Sequence, residues 1–137
     1  MKALTITQPW ATLVALGAKR IETRGWATAY RGPLAIHAAK AYPRWARETC
    51  DEPPFRAALG NLDPDGLLRG YVLATAELID CVPTEAINLS GLAGNERYFG
   101  DFAENRFAWI LYRVKPLSEP LPARGALGLW EWKDARA

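Results

Sequence analysis

The sequence predicts an α+β fold, a closed or nearly closed mixed β-barrel of five to six strands with short flanking helices. Two observations predict it. Strand-like stretches recur at residues 2–6, 19–24, 34–39, 70–80, 106–114 and 127–132, separated by turn signals or short helical segments without βαβ regularity. Half of the 137 residues are hydrophobic and 11% are aromatic, enough for one packed core. With no repeat, low-complexity tract or linker, residues 1–137 read as a single domain.

The elements follow in order. Residues 2–6 alternate as a short strand. Thr7 is placed to cap a helix, Pro9 suits its first turn, and Trp10, Leu13, Val14 and Leu16 form its apolar stripe up to Gly17. Residues 19–24 alternate, with Ile21 and Thr23 on one side and Arg20, Glu22 and Arg24 on the other. Gly32-Pro33 is a turn before the strand 34–39, where Leu34, Ile36 and Ala38 oppose Ala35, His37 and Ala39. Residues 43–59 read as a helix in two pieces, interrupted at Pro53-Pro54. The stretch 61–66 is a loop of turn formers. Strand 70–80 is bounded by Gly70 and Pro83, short helical turns follow near 84–88 and 94–98, and apolar strands close the chain at 106–114 and 127–132. Trp10, Trp109 and Trp130 are assigned to the core.

Composition narrows the function. No apolar run reaches the roughly 18 residues of a membrane span. The start of the chain is too short in apolar residues and too polar for a signal peptide. Cys50 and Cys81 with the single His37 supply neither a disulfide framework nor a zinc site, so a cytoplasmic protein with reduced thiols is expected. No obligate protein partner is evident. The net charge is +2, but residues 1–50 carry eight Lys or Arg against only Glu22 and Glu48. That asymmetry is either a basic face or an inconsequential dipole. No Walker loop, dinucleotide fingerprint, H-E-x-x-H or G-x-S-x-G is present.

Individual residues admit two readings each. Gly17 permits φ > 0 and would lift Lys19 to the barrel rim, as a phosphate donor or as an ordinary solvated lysine. Glu77 is in phase with Leu73, Thr75 and Ile79, and a half-buried carboxylate there calls for a partner, Lys19 being the candidate. Glu22 and Arg24 share a strand face and are a salt bridge or part of a site. His37 is an acid–base group or a packed histidine. Tyr30, Arg31, Lys40 and Tyr42 interleave cations with rings, the pattern single-stranded nucleic acid requires, and Trp26 is a stacking platform or a core residue.

Several segments carry a family resemblance: Gln8-Pro9-Trp10-Ala11; Gly17-Ala18-Lys19-Arg20-Ile21-Glu22-Thr23-Arg24, a G-x-K-x-x-E-x-R pattern; Tyr30 to Lys40; Glu77; Tyr98 to Phe102; Phe107 to Leu111; and Gly128 to Trp132. The chain resembles the ASCH family, whose fold is a PUA-like barrel. The resemblance implies an RNA-binding groove lined by the turn at 17–24, with Lys19, Glu22 and Glu77 as candidate catalytic residues; beside it, the residue types themselves make Arg24, Trp26, Tyr30, Arg31, His37 and Lys40 candidate nucleic-acid contacts. The implied partner is single-stranded RNA or a nucleoside-like ligand. It also implies hydrolytic alternatives. One is a ribonuclease, for which two carboxylates beside a lysine could hold Mg²⁺ or Mn²⁺, although no cofactor is certain. The other is an amidohydrolase of N4-acylated cytidines, whose nucleophilic Thr would fall where this chain has Glu22. A protein-interaction module is a further reading.

Overall fold

The computed structural model describes residues 1–134. Six strands form one mixed sheet, β1 (Lys2–Ile6), β2 (Ile21–Arg24), β3 (Gly32–Ala38), β4 (Tyr71–Pro83), β5 (Phe107–Pro122) and β6 (Leu129–Glu131). Their spatial order is β2-β5-β4-β3-β1-β6, with β1 parallel to β3 and every other pair antiparallel. The sheet curls into a half-barrel. Three short helices pack on it, α1 (Trp10–Ala15), α2 (Arg44–Thr49) and α3 (Pro53–Leu59). This is the expected α+β, PUA-like architecture.

The first helix is stopped as its sequence demands, but started differently. Gly17 has φ +80, the Gly17 amide donates to Val14 O at 3.0 Å, and the Ala18 amide donates to Leu13 O at 3.0 Å. Those are the two bonds of a Schellman motif. At the other end Thr7 does not cap. The fully buried Gln8 instead accepts from the Thr12 amide at 3.0 Å and donates to Leu68 O at 2.8 Å. The helical stretch 43–59 does come in two pieces, and Pro53 and Pro54 open the second of them, α3, because the first turn has no use for their missing amides.

Strand β3 is buried on both faces. Leu34, Ile36 and Ala38 join the main core with Leu4, Val14, Leu78 and Trp109. Ala35 packs on the reverse side with Ala3, Val72 and Trp132. Trp109 is wholly inaccessible, and truncating such a ring to Ala typically costs about 3–5 kcal/mol. Trp10 and Trp130, expected in the core with it, are only part-buried.

Strand β5 runs eight residues further than its apolar pattern, through Pro116, Pro120 and Pro122. Strand β2 pairs only with Phe107–Ile110, so the later half has β4 on one side alone among the described residues. Prolines are tolerated on such an edge. Between Tyr112 and Lys115 two β5 residues oppose the single Ala76, and Arg113 takes φ 51. This bulge bends the strand and helps curl the sheet.

A candidate nucleic-acid site at the open side of the half-barrel

Strands β1 and β2 are not neighbours in the sheet, and the gap between their ends is a cavity of about 500 Å³. Thr5, Ile6 and Thr7 form one wall and Glu22, Thr23 and Arg24 the opposite one. Trp10 and Trp45 stand at the helical side, with Phe99, Asp101 and Arg106 beyond.

Its floor is a buried charge network. The Schellman turn reverses the chain, and the Lys19 amide also bonds Leu13 O, at 3.1 Å. The side chain therefore swings inward rather than to the rim, and Lys19 is 1% exposed. Its ammonium donates to Ile21 O and to Phe99 O, the latter at 3.0 Å, and lies 3.4 Å from Glu22 Oε1. Glu22 Oε2 accepts from Arg24 Nε at 3.0 Å, and Arg24 Nη2 donates to Thr5 O at 2.8 Å. Arg24 thus ties β2 to β1 across the gap. Buried charges persist only when paired and hydrogen-bonded, and each of these is.

Glu96 extends the network. Its carboxylate accepts from the Arg20 amide at 2.6 Å and the Ile21 amide at 3.3 Å. Burial raises its pKa, while the Arg20 amide and the Lys19 charge pull it back. Arg106 reaches the same side, donating to Asp101 O at 3.1 Å and Thr23 O at 3.3 Å.

The aromatic side is a chain of edge and tilted contacts. Trp45 lies 5.8 Å from Trp10, Trp10 meets Phe55 edge-on at 5.8 Å, and Phe55 meets Phe99 at 5.0 Å. Trp45 is 62% exposed at the cavity mouth. A large ring left in water beside a polar floor is a ready surface for a planar ligand.

Of the sequence candidates, the cavity gathers Glu22 and Arg24, with Lys19 beneath them. The others lie elsewhere. Glu77 pairs in register with Pro33 and Tyr112, and its charge acts on Tyr30, whose pKa is raised by burial first and by Glu77 second. Lys19 and Glu77 therefore do not pair. Glu77 and the exposed Ile79 share the outer face, whereas Ala74, Ala76 and Leu78 fill the main core; Leu73 joins that core as well, because the register shifts between Val72 and Ala74. A divalent cation does not fit Glu22 and Glu77: the Glu22 oxygens are held by Lys19 and Arg24, and Glu77 is off the cavity. Trp26 packs edge-on against Trp109 at 4.8 Å, outside the cavity. Tyr30 bonds Pro33 O, and Arg31 bonds Thr28 O and Tyr30 O at 2.9 and 2.8 Å and faces Asp80 at 3.6 Å.

His37 is a packed, satisfied histidine. Its Nε2 donates to Ala123 O at 2.7 Å, Nδ1 accepts from Thr5 Oγ1 at 3.1 Å, and Trp130 Nε1 donates to the same hydroxyl at 3.0 Å. A Cβ on Gly125 would stand 2.7 Å from both His37 Cε1 and Thr5 Oγ1, so the wall is close-packed. Burial lowers the imidazole pKa, with the Ala123 carbonyl acting against it. Lys40 sits in a separate cleft with Arg69 and Arg124.

Sequence reasoning missed Trp45, Arg106 and Glu96. For Trp45 a signal existed: Ala46 and Cys50 mark the buried face of α2 at i, i+4, and Trp45 falls off that stripe. For Glu96 none existed, since its partners are 75 and 76 residues away.

A curled six-stranded mixed sheet with three short helices packed on it has the architecture of a PUA-like domain, a fold class that includes RNA-binding domains. The family model for the ASCH domain matches residues 4–121, and the chain belongs to that family. It is also 26% identical over 133 residues to Activating signal cointegrator 1 of Homo sapiens, and equally to that of Mus musculus. Each alignment covers 93% of this chain and 22% of the relative, so the chain spans about a fifth of their length. No helix among the described residues is long and apolar enough to cross a membrane.

Proposed function

We propose that the cavity binds single-stranded RNA by receiving one unstacked base between Trp45 and the β2 wall. The observation that carries this is Trp45, an exposed indole at the mouth of a cavity with a fixed polar floor. Stacking on such a ring contributes about 1–3 kcal/mol per base and tolerates any base. The floor adds edge recognition. Asp101 is an acceptor for an exocyclic amine, and the Thr7 hydroxyl serves as donor or acceptor. A volume of about 500 Å³ suits a nucleobase with part of its sugar. The ligand class comes from the fold family and the ring; Lys19 serves the floor that holds Glu22 and Arg24 in place.

Trp45→Ala is the test. Anisotropy titration of a labelled single-stranded RNA should show affinity falling about 5- to 150-fold, the equivalent of that stacking energy. The melting temperature should hardly move, because the ring is mostly in water. Undiminished binding in a folded Trp45→Ala protein would remove the reading.

The reading includes no hydrolysis. Lys19 has no free role as a base, Glu22 stands where a nucleophilic threonine would fall, and Thr23 Oγ1 accepts the Asp101 amide at 2.9 Å. N4-acetylcytidine incubated with the protein should persist when followed by chromatography; efficient turnover would return Thr23 or Lys19 to a catalytic role.

A further inference from the structure

We infer that the cleft formed by Lys40, Arg69 and Arg124 is a second anion site, which takes backbone phosphates of the same RNA strand whose base enters the cavity. The inference rests on the RNA reading above for its ligand, and on separate observations for the site itself.

The cleft, of about 800 Å³, is lined by these three cations with Gly70, Pro122 and Ala123, and no acid lines it. The chain as a whole carries 17 basic and 15 acidic side chains, so a concave surface of one sign is not its general condition. Among the described residues the nine ion pairs involve none of the three. Arg69 instead lies over the Tyr42 ring, 5.9 Å from its centroid.

The three come from distant segments and are brought together by backbone. The Gly70 amide donates to Ala38 O at 2.8 Å, and Gly70 O accepts from the Ala123 amide at 3.0 Å. Lys40, Arg69 and Arg124 each lie within two residues of that ladder. Gly70 has φ +76, a conformation that favours glycine. The Ala123 carbonyl is also held by His37 Nε2, so the cleft floor is braced from below. A cluster of exposed cations on tied backbone segments, without counter-charge, is suited to consecutive phosphates, where guanidinium groups form paired hydrogen bonds.

Cleft and cavity adjoin. The amide of Ala39, next to Lys40, donates to Ile6 O at 2.9 Å, and Ile6 lines the cavity. The segment from Lys40 to Trp45 runs from one site to the other and cannot exceed about 18 Å even if extended. A strand stacked on Trp45 therefore meets the cleft within a few nucleotides.

The test measures anisotropy of a labelled single-stranded RNA of mixed sequence across a salt series, with Arg69→Ala/Arg124→Ala beside the unaltered chain. The double variant should bind about tenfold more weakly, and the slope of log affinity against log salt should shrink by about 1.4, or about 0.7 per phosphate lost. If that variant fails to fold, Arg124→Gln carries the test with a slope change of about 0.7. Unchanged affinity and slope, with RNA still bound by the unaltered chain, would overturn the cleft and leave the cavity standing. Absence of RNA binding by the unaltered chain would overturn the base-binding reading and the RNA assignment of the cleft together. Amide chemical shifts with inorganic tripolyphosphate then decide the anion site: shifts confined to Gly70, Ala123 and their neighbours support it, and their absence overturns it.

Discussion

The cavity floor and the basic cleft hold similar numbers of cationic groups under opposite conditions. In the floor, Lys19 and Arg24 meet Glu22, and every donor that can be traced ends on a carboxylate or carbonyl. In the cleft, Lys40, Arg69 and Arg124 meet no carboxylate among the described residues. The difference is one of solvent. A cation removed from water must find its counter-charge within the fold, whereas an exposed one stays hydrated until a ligand arrives. The compensated set holds geometry; the uncompensated set remains available for binding.

The sharpest way to break this comparison is to remove a charge from the floor. Lys19→Met leaves Glu22 short of its buried partner and should cost about 3–5 kcal/mol in chemical denaturation. Adding Glu22→Gln should recover part of that loss, since the two residues are coupled. A loss near zero would show that the floor is hydrated and that Lys19 is available to ligand after all.

The wall between the two regions gives a pH test. The folded His37 lies below its ordinary value of 6.5, so the neutral imidazole is the form the fold retains. The unfolded chain then binds the extra proton. The stability contribution is complete above about 6.5 and is lost as pH falls toward and through the folded value. Denaturation profiles should show this decline in the unaltered chain and not in His37→Gln. Glu96 works in the opposite sense: its folded pKa lies above 4.5, so its contribution is full below that value and is lost as pH rises through the folded one. The difference between the two proteins isolates the histidine. A difference that grows with rising pH would mean that the imidazole is held charged.

The smallest effect is expected at Glu77. Lying on the outer face, its change to Gln should cost about 1 kcal/mol or less and leave RNA affinity unaltered. A loss as large as that of Lys19→Met would move Glu77 into the buried network.

The sequence was legible where structure is local. Each strand core lies where its alternation or apolar run places it, and the Gly17 stop is visible because only a residue tolerant of φ > 0 closes a helix in that way. Glu22 and Arg24 were legible as a pair because residues two apart on a strand share a face. Glu77 was misread because alternation cannot say which face looks inward, and because a register shift between Val72 and Ala74 puts Leu73 in the core with Ala74, Ala76 and Leu78 and leaves Glu77 on the other face. The basic N-terminal third dispersed for a related reason: a count of charges along the chain carries no information about which of them the fold will bury.

By itself, then, the sequence determined the elements, their approximate order and the local turns, since these follow from backbone sterics and from the spacing of apolar residues. The tertiary structure alone decided which charge meets which. Lys19 reaches a carbonyl 80 residues away at Phe99, and Gly70 draws Lys40 and Arg124 to one cleft through bonds to Ala38 and Ala123. Such partners are set by the path of the chain in space, and pairing energies of this kind are decided only once water has been excluded from the site.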